Sequence, residues 1–298
     1  MIKATDNPFE LSNEAAYQQW REQKLASQPA SANELVIELD DPRALNEAEL
    51  ELIHNRLNTS NMLIYRSKLG SFEDKEIPRK LGQQLGLVAL DPNMLADDDG
   101  ITSLTVVDVK NKRGYIPYSD KRLLWHTDGY YNTPDRQIHA VILHCVRPAL
   151  EGGENALMDH EMAYLRLRDE NPDFIKALMH PEAMTIPANT ESGVETRPAQ
   201  AGPVFSLDPE TNRLHMRYTA RTRSIVWRDD KTIRNALLFL EKLLNNEASD
   251  VFYYRLEPGE GVLCNNVLHN RTAFKQGDTE AEQRLLYRAR YYARISTN

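Results

Sequence analysis

The chain has 298 residues, a 41% hydrophobic and 27% charged composition and a formal net charge of −8, which excludes a disordered chain and includes no apolar run long enough to span a bilayer. The 36 basic against 44 acidic residues, with no basic cluster, argue against a nucleic-acid partner. No membrane association is expected, and the absence of a basic stretch followed by an apolar one at the N-terminus points to a cytoplasmic location.

In chain order, "ELSNEAAYQQWREQKLA" has sparse, helically spaced apolar residues and predicts an N-terminal helix. "NEAELELIHNRLN" predicts a second, with Asn46 as its N-cap, followed by a strand at "MLIYRS". A third helix is expected in "EIPRKLGQQLG", with Pro78 near the first turn. Residues 1–100 therefore read as a mixed buttress. Beyond them come short β-branched and aromatic runs, "TSLTVVDV", "QIHAVILHCV", "ENALMD", "GPVFSLD", "RLHMRYT", "VFYYRLEPGEGVLCNNVLH" and "RLLYRARYYARI", which imply a barrel or sandwich. Helices interrupt at about 159–180 and 230–246. The stretch 181–228, with Pro187, Pro198 and Pro203, reads as a long lid over an opening. Nothing of linker composition divides the chain, so one domain over 1–298 is expected. Cys145 and Cys264 sit in apolar runs and read as buried, inert thiols.

The chemistry centres on "RLLWHTDGYYN". On an extended strand, residues two apart share a face, so His126 and Asp128 can present a nitrogen and a carboxylate oxygen to one point. Alone the pair is weak, since about half an occurrence of His-x-Asp is expected by chance in a chain with eight histidines. A third ligand is available in "LEPGEGVLCNNVLHNRTAF", where His269 follows a turn at Pro258–Gly259 and a strand. Two His and one carboxylate with open positions form the facial triad of non-haem Fe(II) oxygenases. His139 and His144 lie five residues apart on one strand, face opposite sides and read as structural, as do His54, His160, His180 and His215. Arg284, Arg288, Arg290 and Arg294 have even spacings on the last strand, share a face if it is regular, and suit a carboxylate.

The segments "WHTDGYYNTPDRQIHAVILHC", "EGGENALMDH", "EPGEGVLCNNVLHNRTAF" and "RLLYRARYYARI" together resemble the taurine dioxygenase and chlorophenoxyacetate dioxygenase superfamily of Fe(II)- and 2-oxoglutarate-dependent oxygenases, leaning to the γ-butyrobetaine hydroxylase branch. The resemblance covers about residues 100–295. It implies an α+β chain with a mostly β, cupin-like core, a double-stranded β-helix (jelly roll) with flanking helices and a lid. It implies His126, Asp128 and His269 as iron ligands, 2-oxoglutarate and O2 as co-substrates, and Arg288 as anchor of the distal carboxylate, with Arg284 as the alternative. Asn155 falls beside that carboxylate, where the taurine-type enzymes often have Thr. For the substrate, a small polar, carboxylate-bearing molecule of betaine or amino-acid type is expected, with Tyr130, Tyr131, Arg217, Tyr218 and Arg221 as contacts and Arg223 nearby. The tyrosines admit two readings, a cage for a quaternary ammonium or barrel core. The family often forms homo-oligomers, and a metal-binding sensor without turnover or a zinc hydrolase would use the same ligands.

Overall fold

The computed structural model describes residues 7–92, 97, 99–106, 116–191, 194–209, 211–222, 225–245 and 250–295. The N-terminal part holds α1 (Glu14–Ala26), β1 (Val36–Leu39), α2 (Glu47–Ser60), β2 (Met62–Ser67) and α3 (Glu76–Gln84). The start of α2 is set as expected: the Asn46 side chain accepts from Glu49 N–H and the Glu49 carboxylate accepts from Asn46 N–H, a reciprocal cap. The central part runs through β3 (Thr102–Leu104), β4 (Leu123–His126), β5 (Ala140–Arg147), β6 (Glu151–Gly152), β7 (Asn155–Met158), α4 (His160–Glu170) and α5 (Pro172–Leu178). There follow β8 (Met184–Ile186), β9 (Asn189–Glu191), β10 (Val194–Arg197), β11 (Gln200–Gly202), β12 (Phe205–Leu207), β13 (Leu214–Met216), β14 (Val226–Trp227) and α6 (Lys231–Asn245). The chain closes with β15 (Phe252–Tyr254), β16 (Glu260–Cys264), β17 (Leu268–Arg271), β18 (Phe274–Lys275) and β19 (Leu285–Tyr291).

Two sheets carry the architecture. The larger has the order β1-β2-β16-β5-β19-β3, parallel only between β1 and β2. The smaller, β15-β7-β17-β4, is antiparallel throughout. Alternate residues of the larger sheet (Met62 and Ile64, Val141 and Cys145, Val262 and Cys264, Leu286) pack on Leu157 and Phe252 of the smaller one. Their neighbours Leu63, Tyr65, Ile142, Leu263, Tyr287 and Tyr291 face the other way, onto Ile53 and Leu57 of α2 and Leu81 of α3. Both faces are therefore buried, which is why these strands read as nearly continuous apolar runs. The outer face of the smaller sheet, through Trp125, Ala156, Met158 and Leu268, packs with α4, α5 and α6. Two facing, largely antiparallel sheets clad by helices make a double-stranded β-helix, or jelly roll.

Two expectations are refined. The helix expected at 159–180 is two, because Asn171 ends α4 in an extended conformation and caps α5. The stretch 181–228 is not a bare loop: it carries β8 to β14, and Met184, Ile186, Phe205, Leu214 and Met216 belong to the core with α4 and α6. Its prolines sit between short strands instead of marking a structureless lid. Tyr287 and Tyr291 are core, and Cys145 and Cys264 are buried and free. Among the described residues no helix is long and apolar enough to cross a membrane.

Candidate active site

The strands β4 and β17 are antiparallel neighbours, and their register places His126 directly opposite His269 with ring centroids 4.2 Å apart. Each imidazole has Nδ1 2.9 Å from the carbonyl oxygen two residues earlier, Leu124 for His126 and Val267 for His269. A carbonyl only accepts, so the proton is on Nδ1 and each Nε2 keeps its lone pair for a metal. Just past β4 the chain brings in Asp128, and one donor atom from each of the three residues lies within 4.8 Å of the others. Among the described residues no other group of His, Cys, Asp and Glu does this. Gly129 makes the turn that follows: its φ is +66°, and a Cβ there would sit 2.4 Å from Ile138 Cγ1.

The Asp128 carboxylate is buried, with Oδ1 accepting from Arg288 Nη1 at 3.2 Å and facing Arg290 Nη1 at 3.7 Å. Burial pushes this carboxyl up, but Arg288 and Arg290, helped by the two imidazoles, outweigh it and hold it well below the usual carboxylate range. Oδ2 is also buried and has no hydrogen-bond partner. Burial, then the neighbouring His269, bring the His126 pKa down to about 3 against the pull of Asp128, so the ring is neutral at physiological pH. An ionised oxygen without a donor, set beside two imidazole lone pairs, is an unmet demand for a cation. The donor set fits a divalent metal held on one face with its other positions open.

A cavity of about 60 Å³ opens from Asp128 and His269 into the barrel, lined by Asn155, Arg271, Arg284 and Arg288 among apolar residues. Arg284, Arg288 and Arg290 all project to the inside of the larger sheet, but they do different work. Arg288 gives Nη1 to Asp128, while its Nε is buried without a partner. Arg290 is salt-bridged to Asp91 and donates to the Tyr131 hydroxyl at 3.0 Å. Burial would lower its pKa, but Tyr131, Asp128 and Asp91 raise it instead. Arg284 is 3% exposed, and among the described residues no carboxylate pairs with it. Burial accordingly brings it down to about 10. Arg271 is brought down to about 9 by burial and then by Arg284, and the two guanidiniums lie 4.7 and 5.0 Å from the Phe274 ring. Arg271 gives its guanidinium to the carbonyls of Ser119, Lys121 and Thr272 and feels Asp120, so Arg284 is the buried cation that, lining a cavity that begins at a metal-type donor set, suits an anion.

Residues 23–290 match the model of the family described as taurine catabolism dioxygenase TauD, TfdA family. The chain belongs to that family. A uridine-5'-phosphate dioxygenase from Amycolatopsis sp is 30% identical over 174 residues, 56% of this chain and 60% of that relative, so the similarity spans about three fifths of the curated protein's length. PvcB from Pseudomonas aeruginosa aligns with TM-score 0.57 and 17% identity over 87% of this chain and 85% of its own. A taurine dioxygenase from Burkholderia xenovorans gives TM-score 0.57 and 18% identity over 89% of both chains. An asparagine oxygenase, solved with Fe(II), 2S,3S-3-hydroxyasparagine and succinate, gives TM-score 0.54 and 16% identity over 92% of this chain and 91% of its own. These similarities bear out the expected jelly-roll fold. PvcB is itself described as an Fe, α-ketoglutarate-dependent oxygenase, and the TauD, TfdA member described here has a donor set that fits that chemistry.

The remaining residues of this family member divide by what they touch. Asn155, at the start of β7, lines the cavity together with Arg284. Tyr130 and Tyr131 meet edge to face at 5.2 Å, and Tyr131 has the Arg197 and Arg290 guanidiniums 5.9 and 6.0 Å from its ring. Tyr130 has its pKa raised by burial, against the charge of Arg221, whose side chain hydrogen-bonds to it. Arg217 and Tyr218 are placed away from the role of substrate contacts. Arg217 donates to the carbonyls of Tyr130 (2.7 Å), Met184 (3.0 Å) and Gln200 (2.8 Å), which occupies all three guanidinium nitrogens, and Tyr218 is buried with Trp227 in the core beneath α4 and α6. Arg294 leaves the arginine face, because it lies past the end of β19 and donates to Leu214 O and Asn61 Oδ1. Arg223 lies outside the described residues. Replacing Arg217 with alanine is expected to cost about 3 kcal/mol of stability, since three carbonyls lose their donor, and to speed proteolysis within 181–228. An unchanged urea midpoint and cleavage rate would show that these bonds contribute nothing net.

One positioning residue has no advance signal beyond the doublet in "CNNVLH": Asn266, whose side chain holds the backbone of Asp128.

Proposed function

We propose that the chain is an Fe(II)- and 2-oxoglutarate-dependent dioxygenase that oxidises a C–H bond of a small anionic molecule. The observation that carries this reading is the pairing of a partnerless, buried Asp128 Oδ2 beside two free Nε2 atoms with an uncompensated Arg284 across the same cavity. His126 Nε2, His269 Nε2 and Asp128 Oδ2 would hold the iron. When bound, iron supplies the oxidative decarboxylation of 2-oxoglutarate to succinate and CO2, with O2 as oxidant, coupled to substrate oxidation. The protein's own part is to fix that open face, keep the cavity apolar and aim the two organic molecules.

The arginine face favours one of its members as the co-substrate anchor. A five-carbon dicarboxylate that chelates through its 2-oxo acid end needs its second cation one molecule's length from the metal. Arg288 touches the ligand Asp128 itself, whereas Arg284, just before β19, lines the same cavity and has no described ion pair with Asp128. Arg284, with Asn155 beside it, is therefore our choice in place of Arg288. For the substrate, Arg197 beside Tyr131 and Arg221 beside Tyr130 add positive charge there, which would repel a quaternary ammonium and favour a carboxylate or phosphate. The relative that acts on uridine-5'-phosphate, a phosphate ester, supports the same class. Arg221 and Tyr130 are the proposed contacts for that anion.

The test is anaerobic addition of Fe(II) and 2-oxoglutarate to the metal-free protein, then succinate release in air with nucleoside monophosphates and small carboxylates. The expected result is a visible charge-transfer band and succinate release accelerated at least tenfold by one anionic class. Iron binding without the band would overturn the co-substrate assignment.

A further inference from the structure

We infer that Asn266 is a positioning residue that sets the spacing between two of the three proposed metal ligands by gripping the backbone of Asp128; this rests on the metal-centre reading above. Asn266 is 2% exposed and lies in the connection from β16, in the larger sheet, to β17, in the smaller one, three residues before His269. Its Oδ1 accepts from Asp128 N–H at 2.7 Å, while its Nδ2 donates to Asp128 O at 3.0 Å and to Ile138 O. The side-chain amide thus pairs with both backbone polar groups of Asp128 and fastens them to the residue two before β5. Three segments meet in one side chain: the end of β4 with its Asp128, the entry to β5, and the crossover that delivers His269.

The geometry requires asparagine in particular. Asn266 has φ +50°, in the left-handed region that asparagine and glycine tolerate best. Its two amide ends supply one acceptor and one donor group, which meet the N–H and the C=O of Asp128. Aspartate would keep the acceptor for Asp128 N–H but turn a carboxylate oxygen toward two carbonyls. The contact reaches only the backbone of Asp128, so it controls where Oδ2 points without altering the carboxylate's charge. Fixing the ligand's peptide on both sides is what a facial donor set needs, because neither His126 nor His269, each on a paired strand, can follow a displaced Asp128.

The test compares wild type with Asn266→Gly, which accepts φ +50° but has no amide, and Asn266→Asp. Anaerobic calorimetry with Co(II) measures metal affinity, and thermal unfolding of the metal-free proteins reports the fold. The expected result is Co(II) affinity about 10- to 100-fold weaker in Asn266→Gly, as for other residues that orient metal ligands, at similar metal-free circular dichroism, with a changed visible Co(II) spectrum. Asn266→Asp is expected to show the same loss, and carries the test if the glycine variant does not fold. Wild-type affinity and spectrum in either folded variant would overturn the inference while leaving the metal centre standing. No Co(II) or Fe(II) binding by wild type would overturn both.

Discussion

Replacing Asp128 with alanine is expected to abolish Fe(II) binding, weakening it at least 100-fold, and to change the stability of the metal-free fold by much less. The two effects have different origins. In the metal-free protein the substitution strands Arg288, whose only described ion-pair partner is Asp128, and stripping one member from a buried pair costs about 3–5 kcal/mol. Set against that, it removes Oδ2, a buried oxygen already without a partner, which returns about 1–3 kcal/mol. Arg290 keeps Asp91. A net loss of about 2 kcal/mol by urea denaturation is therefore expected. With metal present the balance changes, because Oδ2 is then the ligand and its loss leaves two imidazoles, which bind a divalent ion weakly. Co(II) titration checks this: wild-type affinity in the alanine variant would remove Asp128 from the ligand set.

The second large effect is expected at Arg284. Its alanine variant should need about 100-fold more 2-oxoglutarate to reach half of the charge-transfer signal, in line with the 2–5 kcal/mol lost when one partner of a buried charged pair is truncated. Metal affinity should stay within about twofold. Stability should hold or rise, because the side chain removed is a buried cation with no carboxylate beside it, its pKa depressed to about 10 by burial. Arg288→Ala should behave in the opposite way: it takes a counter-charge from Asp128, so metal binding weakens while 2-oxoglutarate affinity, measured at saturating metal, changes less. If the requirement for 2-oxoglutarate rises in Arg288→Ala and not in Arg284→Ala, the anchor is Arg288 after all.

The contrast between these two arginines shows where sequence reading stops. Even spacing on one strand placed Arg284, Arg288 and Arg290 on one face, since side-chain alternation is a local property. Which of them faces a carboxylate of the protein and which faces only the cavity depends on what the second sheet and the loop at Asp91 bring opposite, and no local pattern encodes that. The same limit explains Arg217: a cation in a segment near the site looks like a substrate contact until three carbonyls from three separate segments converge on it.

By itself, the sequence determined the features that arise within a few residues of each other: the helices with the cap at Asn46 and Pro78 in the first turn of α3, the short apolar runs that form the strands, and the His126–Asp128 pair at the end of β4. His269 was readable as a third ligand only because it follows a turn at Pro258–Gly259 and a strand. Tertiary structure alone decided the pairing of β17 with β4 that sets His269 against His126, the grip of Asn266 on Asp128, and the isolation of Arg284. The first two are contacts between residues more than a hundred positions apart, and all three are fixed by how two sheets cross and pack, with energetics that exist only once water has been excluded.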